Sequence, residues 1–258
     1  MGHVIYDNKV LESKIENLLT TNIDMNNYMT IDYSLAEAAG MTKVVNTYTA
    51  TGSVEDLAMG EGNTAGIEVS FTPKEYKVGT TQGYFTYFDE QEMTDPMVVD
   101  AGLQAISQKM TNDLTTKAIK AMGEATLTIS GFQFTFDGIV DAIAKYPYES
   151  EEGLFLLINP AEKAEVRKNL GEELKYSEGF ARTGYIGTVC GVPVIVSKAV
   201  PEGEAYLATK DAITCFVKKG SEIEQDRDAD KRQNKVWIRK VMVIALTDAT
   251  KIVKLTVA

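Results

Sequence analysis

The longest periodic pattern in the chain lies between Thr94 and Gly123. Apolar residues recur there in steps of three or four, as on one face of an α-helix, at Val99, Leu103, Ile106, Met110, Leu114, Ala118 and Met122. Thr94 or Asp95 suits the cap of the first turn, and Pro96 suits the first helical position. Gly123 is expected to end the helix in a left-handed conformation. The pattern predicts one long helix whose narrow apolar stripe lies across a sheet or a neighbouring element.

The period changes to two over residues 43–92, which is typical of half-exposed strands. A glycine-containing loop over residues 52–66 separates two such runs. The apolar positions of the second run are Ile67, Val69 and Phe71, and Pro73 is expected to end it. A further run from Gly83 leads into the long helix. This β-rich excursion has little core of its own, so its apolar side needs a partner, such as a neighbouring subunit.

Residues 124–220 carry the signals of an α/β body. An alternating strand is predicted at Phe132, Phe134 and Phe136. Asp137 is then expected to cap a helix that Pro147 ends. The continuous apolar run 154–158 predicts a strand covered on both faces.

The remainder of this body alternates turns and short apolar runs. Asn159 and Pro160 are a favourable cap and first position for a helix. A polar loop is expected over 171–187. Further strands are predicted at 191–197, 205–209 and 213–217.

The two ends of the chain differ in character. Residues 1–42 predict an arm with one short amphipathic helix, followed by a polar segment that orders only by packing onto something else. The helix face consists of Val10, Leu11, Ile15, Leu18 and Leu19. A charged hairpin is predicted from Glu222 and a last strand from Lys251, and no internal repeat or low-complexity linker divides the chain.

Composition limits the kinds of partner. The 258 residues are 44% hydrophobic and 24% charged, within the range of soluble globular proteins. No apolar run is long enough to span a membrane, and the first residues lack the order of a secretion signal, so synthesis in the cytoplasm and no membrane partner are expected. The net charge of −11 disfavours direct sequence-specific DNA binding, which needs a basic surface.

The residues that enzymes use are scarce. His3 is the only histidine, which argues against a catalytic triad or a zinc site. The segment 60–66 lacks the spacing and context of a nucleotide-binding loop. Cys190 and Cys215 have no metal or redox spacing and are expected to be reduced, buried thiols. The sequence therefore predicts no catalytic residues, no cofactor and no enzyme activity.

One acidic run has the alternating carboxylates of a calcium-binding loop. The alternating acids are Asp226, Asp228 and Asp230. A calcium loop that begins at Asp226 needs glycine at its sixth position and glutamate at its twelfth, where this chain has Lys231 and Trp237. Arg227 and Lys231 lie among these acids, and Arg232 follows Lys231. Mixed charges of this kind favour a solvated or inter-subunit salt-bridged hairpin and no metal site.

The order of these parts resembles the major capsid proteins of tailed bacteriophages, which have the Hong Kong-97-type coat fold, an α+β architecture. The most similar segments are residues 154–170, 187–201 and 205–246, and the resemblance depends on their order and spacing. It implies an N-terminal arm at 1–42 and an extended β-hairpin, the E-loop, at 43–92.

The same resemblance divides the rest of the chain between two domains. Residues 93–129 and 221–249 correspond to a P domain with a spine helix. Residues 130–220 and 250–258 correspond to an α/β A domain. Some relatives join subunits through a Lys–Asn bond. Lys74, Lys77 and Asn234 are the positions to consider, but no cross-link is expected.

The resemblance implies a structural function. Copies of the chain would form hexamers and pentamers of an icosahedral phage head around double-stranded DNA, without sequence-specific DNA contacts. The expected partners are the chain itself, a separate scaffolding protein and a portal, with assembly in the host bacterial cytoplasm and a final place in the virion capsid. The expected assembly residues are Ile67, Val69, Phe71, Leu103, Ile106, Met110, Asp226, Asp228, Asp230 and Arg232.

Two alternatives remain at this point. An encapsulin-like nanocompartment shell shares the fold but encloses cargo enzymes in place of a genome. From other classes, the chain would be a non-viral soluble binding module or a small enzyme with an unrecognised site. A short hairpin and a cargo-binding groove would favour the nanocompartment, whereas the predicted excursion is fairly long.

Overall fold

The computed structural model describes residues 24–148, 152–173 and 188–257. The helices are α1 (Asp89–Thr94), α2 (Val98–Met122), α3 (Phe136–Ala144) and α4 (Pro160–Glu173). The strands are β1 (Thr30–Asp32), β2 (Thr42–Thr51), β3 (Glu68–Lys77), β4 (Gly79–Phe88), β5 (Leu127–Ser130), β6 (Leu154–Ile158), β7 (Thr188–Val189), β8 (Val192–Val196), β9 (Glu204–Thr209), β10 (Ile213–Asp228), β11 (Gln233–Leu246) and β12 (Ile252–Thr256). The arm helix predicted around Val10, His3 and residues 174–187 of the predicted loop lie outside this range.

A four-stranded sheet with the order β1–β10–β11–β4 carries the long helix α2 on one face. The strands β10 and β11 form the predicted hairpin and pair antiparallel from Ile213 and Leu246 to Asp228 and Gln233. Every apolar position predicted for the helix stripe, from Val99 to Met122, is buried. The stripe is therefore a core face within this chain, as a step of three or four residues requires.

The ends of α2 differ in detail from the prediction. The helix begins at Val98, because Asp95 precedes a proline and is extended, and the Asp95 carboxylate accepts a hydrogen bond from the Met97 amide at 3.0 Å. The expected left-handed end was wrong, since Gly123 has φ −62°. Backbone bonds from Glu124 to Ala121 and from Ala125 to Met122 tighten the last turn and satisfy its carbonyl groups.

A six-stranded sheet with the order β5–β12–β9–β6–β8–β7 forms the second body. Strand β6 is buried along its whole length between β9 and β8, which confirms the predicted two-sided burial. Asn159 then turns the chain into α4. Its side-chain oxygen accepts from the Ala161 amide at 2.9 Å, and its amide group donates to the Val200 carbonyl at 2.7 Å.

The strand predicted at Phe132, Phe134 and Phe136 was wrong. Strand β5 ends at Ser130, and Gly131 has φ +74°, which turns the chain away from the sheet. Phe132 and Phe134 are buried with their rings edge to face at 5.0 Å, and Phe136 begins α3. Phe132 and Phe134 therefore fill the core from an irregular loop, whereas Phe136 is exposed at the start of the helix.

The limits of α3 also differ from the prediction. The helix ends at Ala144, ahead of Pro147. Thr135 caps its first turn in place of Asp137, because the Thr135 hydroxyl accepts from the Gly138 amide at 3.1 Å.

Two further local predictions were wrong. Strand β3 continues through Pro73, which pairs in register with Asn46 of β2. Among the described strands, β3 has no second neighbour, so a residue without an amide donor is tolerated on its outer side. Cys215 is buried, but Cys190 is exposed in the tight turn between β7 and β8, where its φ is +52°.

Candidate functional site

The hairpin β2–β3 is a two-stranded sheet that exposes both faces to solvent. Strand β4 lies in the four-stranded sheet, so the part of the chain that leaves the body spans residues 42–77. Large apolar side chains on this hairpin are more than half exposed, and we call them the exposed ribbon: Tyr48, Ile67, Val69 and Phe71. A patch of this kind marks an interaction surface in a soluble protein.

Two aromatic rings lie near the middle of the exposed ribbon. Tyr48 and Phe71 face each other across β2 and β3 with ring centroids 6.3 Å apart. Their exposed fractions are 66% and 63%, so the pair has one packed side and one open side. Aromatic cross-strand pairs stabilise a hairpin by up to about 1 kcal/mol. The ribbon thus keeps its shape while its outer side remains available.

A loop joins the two strands at the far end of the hairpin. The Glu55 carboxylate closes this loop by accepting from the Thr64 amide at 2.8 Å and the Thr64 hydroxyl at 2.6 Å. These hydrogen bonds hold the pKa of Glu55 below its usual value. Outside this closure, Val54 and Met59 project into solvent and extend the apolar surface of the hairpin.

The base of the hairpin is fixed to the body by polar contacts. Glu124, just after α2, accepts from Lys74 Nζ at 2.6 Å and from the Tyr76 hydroxyl at 3.4 Å. Tyr76 also donates to the Leu246 carbonyl at 3.3 Å. The hydrogen bond to Glu124 raises the pKa of Lys74, and burial raises the pKa of Tyr76. The sequence does not predict this contact, because no local pattern links residues about fifty positions apart.

On the other side of the base, strand β2 contacts β10. The Lys43 ammonium group lies 4.5 Å from the centroid of the Phe216 ring and 4.0 Å from an oxygen of Asp32. Phe216 belongs to a small buried cluster with Leu35, Val78 and Ala245. Both strands of the hairpin are thus anchored near their body ends, whereas the exposed ribbon lies beyond these anchors.

The tip of the hairpin β10–β11 contains the acidic run, and its contacts lie within this chain. Asp228 accepts hydrogen bonds from the amides of Asp230 and Lys231, which shapes the turn. Arg232 reaches Glu90 at 3.4 Å, with both side chains exposed. Asp226 is exposed. Intramolecular contacts therefore account for Asp228 and Arg232 in the described part of the chain.

The main anchor of this tip is a residue that the sequence did not single out. Asp89, at the start of α1, is buried and accepts from Arg227 at 2.7 Å and from Asn234 at 2.8 Å. A buried carboxylate needs such partners to offset the loss of water. Because Asn234 is bound to Asp89 and Lys74 to Glu124, two of the three positions considered for cross-linking have partners within the chain.

A second ion-pair group lies farther down the same hairpin. Glu222 accepts from Arg239 at 2.5 Å and from Lys219 at 2.8 Å. These hydrogen bonds, the one from Arg239 above all, hold the pKa of Glu222 below its usual value. The group joins β10 to β11 beside the register shift near Lys219.

The three predicted assembly residues of the long helix are buried in the core of this chain. Leu103, Ile106 and Met110 are 1%, 7% and 4% exposed and pack against the four-stranded sheet. They support the shape of the subunit, whereas Ile67, Val69 and Phe71 face solvent. The predicted residues therefore separate into an internal group and an external group.

The described residues contain no group of acidic, histidine or cysteine side chains that would hold a metal ion.

A polar cavity of about 550 Å³ beside α3 is lined by residues that include Thr135, Asp137, Asp141, Lys145 and Asn169. No helix in the described ranges is long and apolar enough to cross a membrane. Exposed apolar strands are the main candidate for a functional surface.

Comparison with known sequences finds similarity to phage capsid proteins. A family model described as phage capsid protein matches residues 68–255, most of the chain. The major capsid protein of Staphylococcus phage phiMR11 is 24% identical, with 96% of this chain and 92% of that protein covered.

Comparison with solved structures gives the same architecture. The capsid protein of a native GTA particle has a TM-score of 0.73 at 10% sequence identity. The alignment covers 92% of this chain and 90% of that capsid chain. The holo-SrpI encapsulin complex from Synechococcus elongatus has a TM-score of 0.61 at 13% identity, with 88% and 84% covered. At these identities the likeness concerns the fold.

Proposed function

Because this chain belongs to the phage capsid protein family, we propose that its copies assemble into the hexamers and pentamers of an icosahedral head that encloses double-stranded DNA. The fold is the Hong Kong-97-type capsid fold that the sequence predicted, and the chain is a phage major capsid protein. The observation that carries the proposed assembly is the exposed ribbon, since a protein that functions alone rarely leaves such side chains uncovered.

The domain assignment follows from the same proposal. The hairpin β2–β3 serves as the E-loop, and α2 with the four-stranded sheet serves as the P domain. The six-stranded sheet with α3 and α4 serves as the A domain. The anchors at Lys74 and Lys43 hold the hairpin away from the body, where it can meet a neighbour. Many copies of one weak contact then add up to a stable shell.

The remaining partners belong to the proposal as well. We assign to the chain a separate scaffolding protein and a portal, and assembly in the bacterial cytoplasm before the shell enters the virion. The DNA is enclosed without being bound tightly, because the chain's net charge of −11 opposes tight binding to phosphates. A nanocompartment shell has the same fold, but the family model and the curated relative both concern phage proteins.

Expression with and without a scaffolding protein, followed by size exclusion and nuclease treatment, tests this function. The expected result is a shell-sized fraction, which in infected cells contains nuclease-protected DNA. Shells that enclose protein cargo and no DNA in infected cells would favour the nanocompartment. A chain that stays monomeric under every condition would contradict a coat function.

A further inference from the structure

A short connecting segment joins strand β1 to the hairpin β2–β3. It covers residues 33–41, between the end of β1 at Asp32 and the start of β2 at Thr42, and we call it the strap. Strand β1 is fixed in the four-stranded sheet by pairing with β10. The strap is therefore the path by which the hairpin leaves the body on its β2 side, and it bears on the direction of the hairpin.

The sequence of the strap favours a helix that the structure does not contain. Ser34 and Glu37 have the spacing of a capping box, leucine and alanine lie between and after them, and Gly40 suits a helix end. Within this fully described segment, however, no helix is present. The Asp32 carboxylate accepts from both the amide and the hydroxyl of Ser34, at 2.7 and 2.8 Å, and so occupies the capping group. The path of the strap thus depends on contacts with residues outside it.

Few side chains of the strap pack on the body. Leu35 is buried with Val78, Phe216 and Ala245. Residues 36–41 are exposed, and four of these six are alanine or glycine, whose side chains offer no polar group. A group that fixes this part of the strap must therefore bind its backbone.

Lys218 of β10 binds the backbone of the strap at two points. Its ammonium group donates to the Ala38 carbonyl at 2.7 Å and to the Gly40 carbonyl at 2.5 Å. Hydrogen bonds from a charged donor are shorter and stronger than those between neutral groups. Among the described side chains, only that of Lys218 is hydrogen-bonded to residues 36–40.

An irregularity of the sheet presents Lys218 to the strap. The residues on either side of Lys218 pair in register with successive residues of β11, so Lys218 itself is an extra residue with none opposite it in that strand. A β-bulge of this kind bends the strand and re-aims a side chain. The bulge follows Phe216, which pairs with Asp32 at the end of β1, so it lies where the strap leaves the sheet.

From this arrangement we infer that Lys218 is a positioning residue for shell assembly, because its two hydrogen bonds to the strap set the direction in which the hairpin β2–β3 leaves the subunit. In a symmetric ring every copy makes the same contacts, so each hairpin must leave its subunit in the same direction. The inference rests on the proposed function and concerns a contact within one chain.

The hairpin transmits the position of the strap to its far end. The Met41 carbonyl accepts from the amide of Val78, the single residue between β3 and β4, at 2.8 Å. Both strands of the hairpin thus share one root beside the hydrogen bonds of Lys218. At about 3.3 Å per residue, Thr49 lies roughly 23 Å beyond the start of β2, so a small rotation at the root displaces it widely.

The direction of the hairpin is measurable in the unassembled chain. Spin labels on Thr49→Cys in β2 and Gln104→Cys in α2, two exposed positions, report the distance between the hairpin and the body by electron spin resonance. A Cys190→Ser background removes the exposed natural thiol.

In this background Lys218→Met should broaden the distribution of distances. Loss of a hydrogen bond from a charged donor raises the population of released strap about tenfold or more. Lys219→Met, at the next residue of the same strand, loses its hydrogen bond to Glu222 and should keep the natural distribution. An unchanged distribution in folded Lys218→Met would overturn the inference.

Gly40→Ala tests the same contact without a change in the sheet. Gly40 has φ +101° and open space where a Cβ atom would lie, so alanine strains the backbone but clashes with nothing. Relief of this strain should move the Gly40 carbonyl away from Lys218 and broaden the distances. A distribution as narrow as that of the natural chain would overturn the inference, even if Lys218→Met did not fold.

Electron microscopy then shows whether the direction of the hairpin matters for assembly. Lys218→Met should lower the yield of closed, uniform shells about tenfold or more while the subunit stays folded by circular dichroism. Lys218→Arg retains donors for both carbonyls and should restore most of the yield. Normal shells from Lys218→Met, or a lost yield with a natural distribution of distances, would overturn the inference and leave the coat function intact. Failure of the natural chain to form any shell would contradict the function itself.

Discussion

Gly102 of α2 faces the ring of Phe85 in β4 so closely that a Cβ atom at position 102 would lie 2.5 Å from Phe85 Cδ2. Gly83 of β4 has a similar relation to the helix, since a Cβ atom there would lie 2.9 Å from Ile106 Cδ1. One glycine on the helix and one on the strand thus set the distance between α2 and the sheet, and with it the shape of the subunit.

Gly102→Leu should destabilise the unassembled chain by about 1–3 kcal/mol, because the new side chain must displace the Phe85 ring from a packed site. Thermal unfolding of this variant beside Ala105→Leu measures the effect. Ala105 is exposed on the same helix, so its substitution should leave the unfolding temperature nearly unchanged. Equal unfolding temperatures for the two variants would contradict the close packing of α2 on β4.

Leu103→Asp should prevent assembly, because a carboxylate at a site that is 1% exposed has no partner and costs several kcal/mol. The same result is expected for Ile106→Asp. Gln104→Asp, at an exposed position of the same helix, is the matched control and should assemble. Electron microscopy of the three variants gives the answer. Normal particles from Leu103→Asp would contradict the role of α2 as the internal support of the subunit.

Asp89→Asn should lower the free energy of unfolding by about 1–3 kcal/mol, because Arg227 loses the charge of its partner and the Asn234 amide loses an acceptor. Glu90→Gln removes the neighbouring exposed pair with Arg232 and should cost less than about 0.5 kcal/mol. Denaturant titration of both variants separates the two contacts. A larger loss for Glu90→Gln would show that Asp89 is not the anchor of the hairpin tip.

Glu222 should make the hairpin β10–β11 sensitive to acid. Its folded pKa lies below the ordinary value of 4.5, so its contribution is fully present above pH 4.5 and is lost as the pH falls through the lowered pKa. The unfolding temperature of the natural chain should therefore exceed that of Glu222→Gln above pH 4.5, and the two should converge at lower pH. A difference that stays constant through the acid range would contradict this role.

The fold was most predictable where local sequence decides local structure. The stripe from Val99 to Met122 and the buried strand 154–158 were both confirmed, because a helix face and a two-sided strand leave their period in the sequence. The resemblance added the order of the domains, which no single period contains.

The failures have a common physical origin in long-range contacts. Asp89 and Arg227 are 138 positions apart, so no spacing rule brings them together. The alternation in β4 indicated a strand, but it did not reveal that β11 is its partner. Phe132 and Phe134 alternate like a strand although tertiary packing in a loop places their rings. A period of two indicates which face of a strand is apolar, but it does not identify the strand with which it pairs.

In the candidate site, too, local patterns were predictable and long-range contacts were not. Ile67, Val69 and Phe71 were recognised as apolar positions in need of a partner, and they are exposed on the hairpin. The anchors of this hairpin at Glu124 and Phe216 were not recognised, since each joins a strand to a distant element.

Electron microscopy of the purified, nuclease-treated chain tests the central claim most directly. We expect closed shells, or rings of five and six subunits, with the hairpin β2–β3 of each subunit covered by its neighbour. A folded monomer whose hairpin stays exposed, even when the chain is concentrated and co-expressed with a scaffolding protein, would contradict the account.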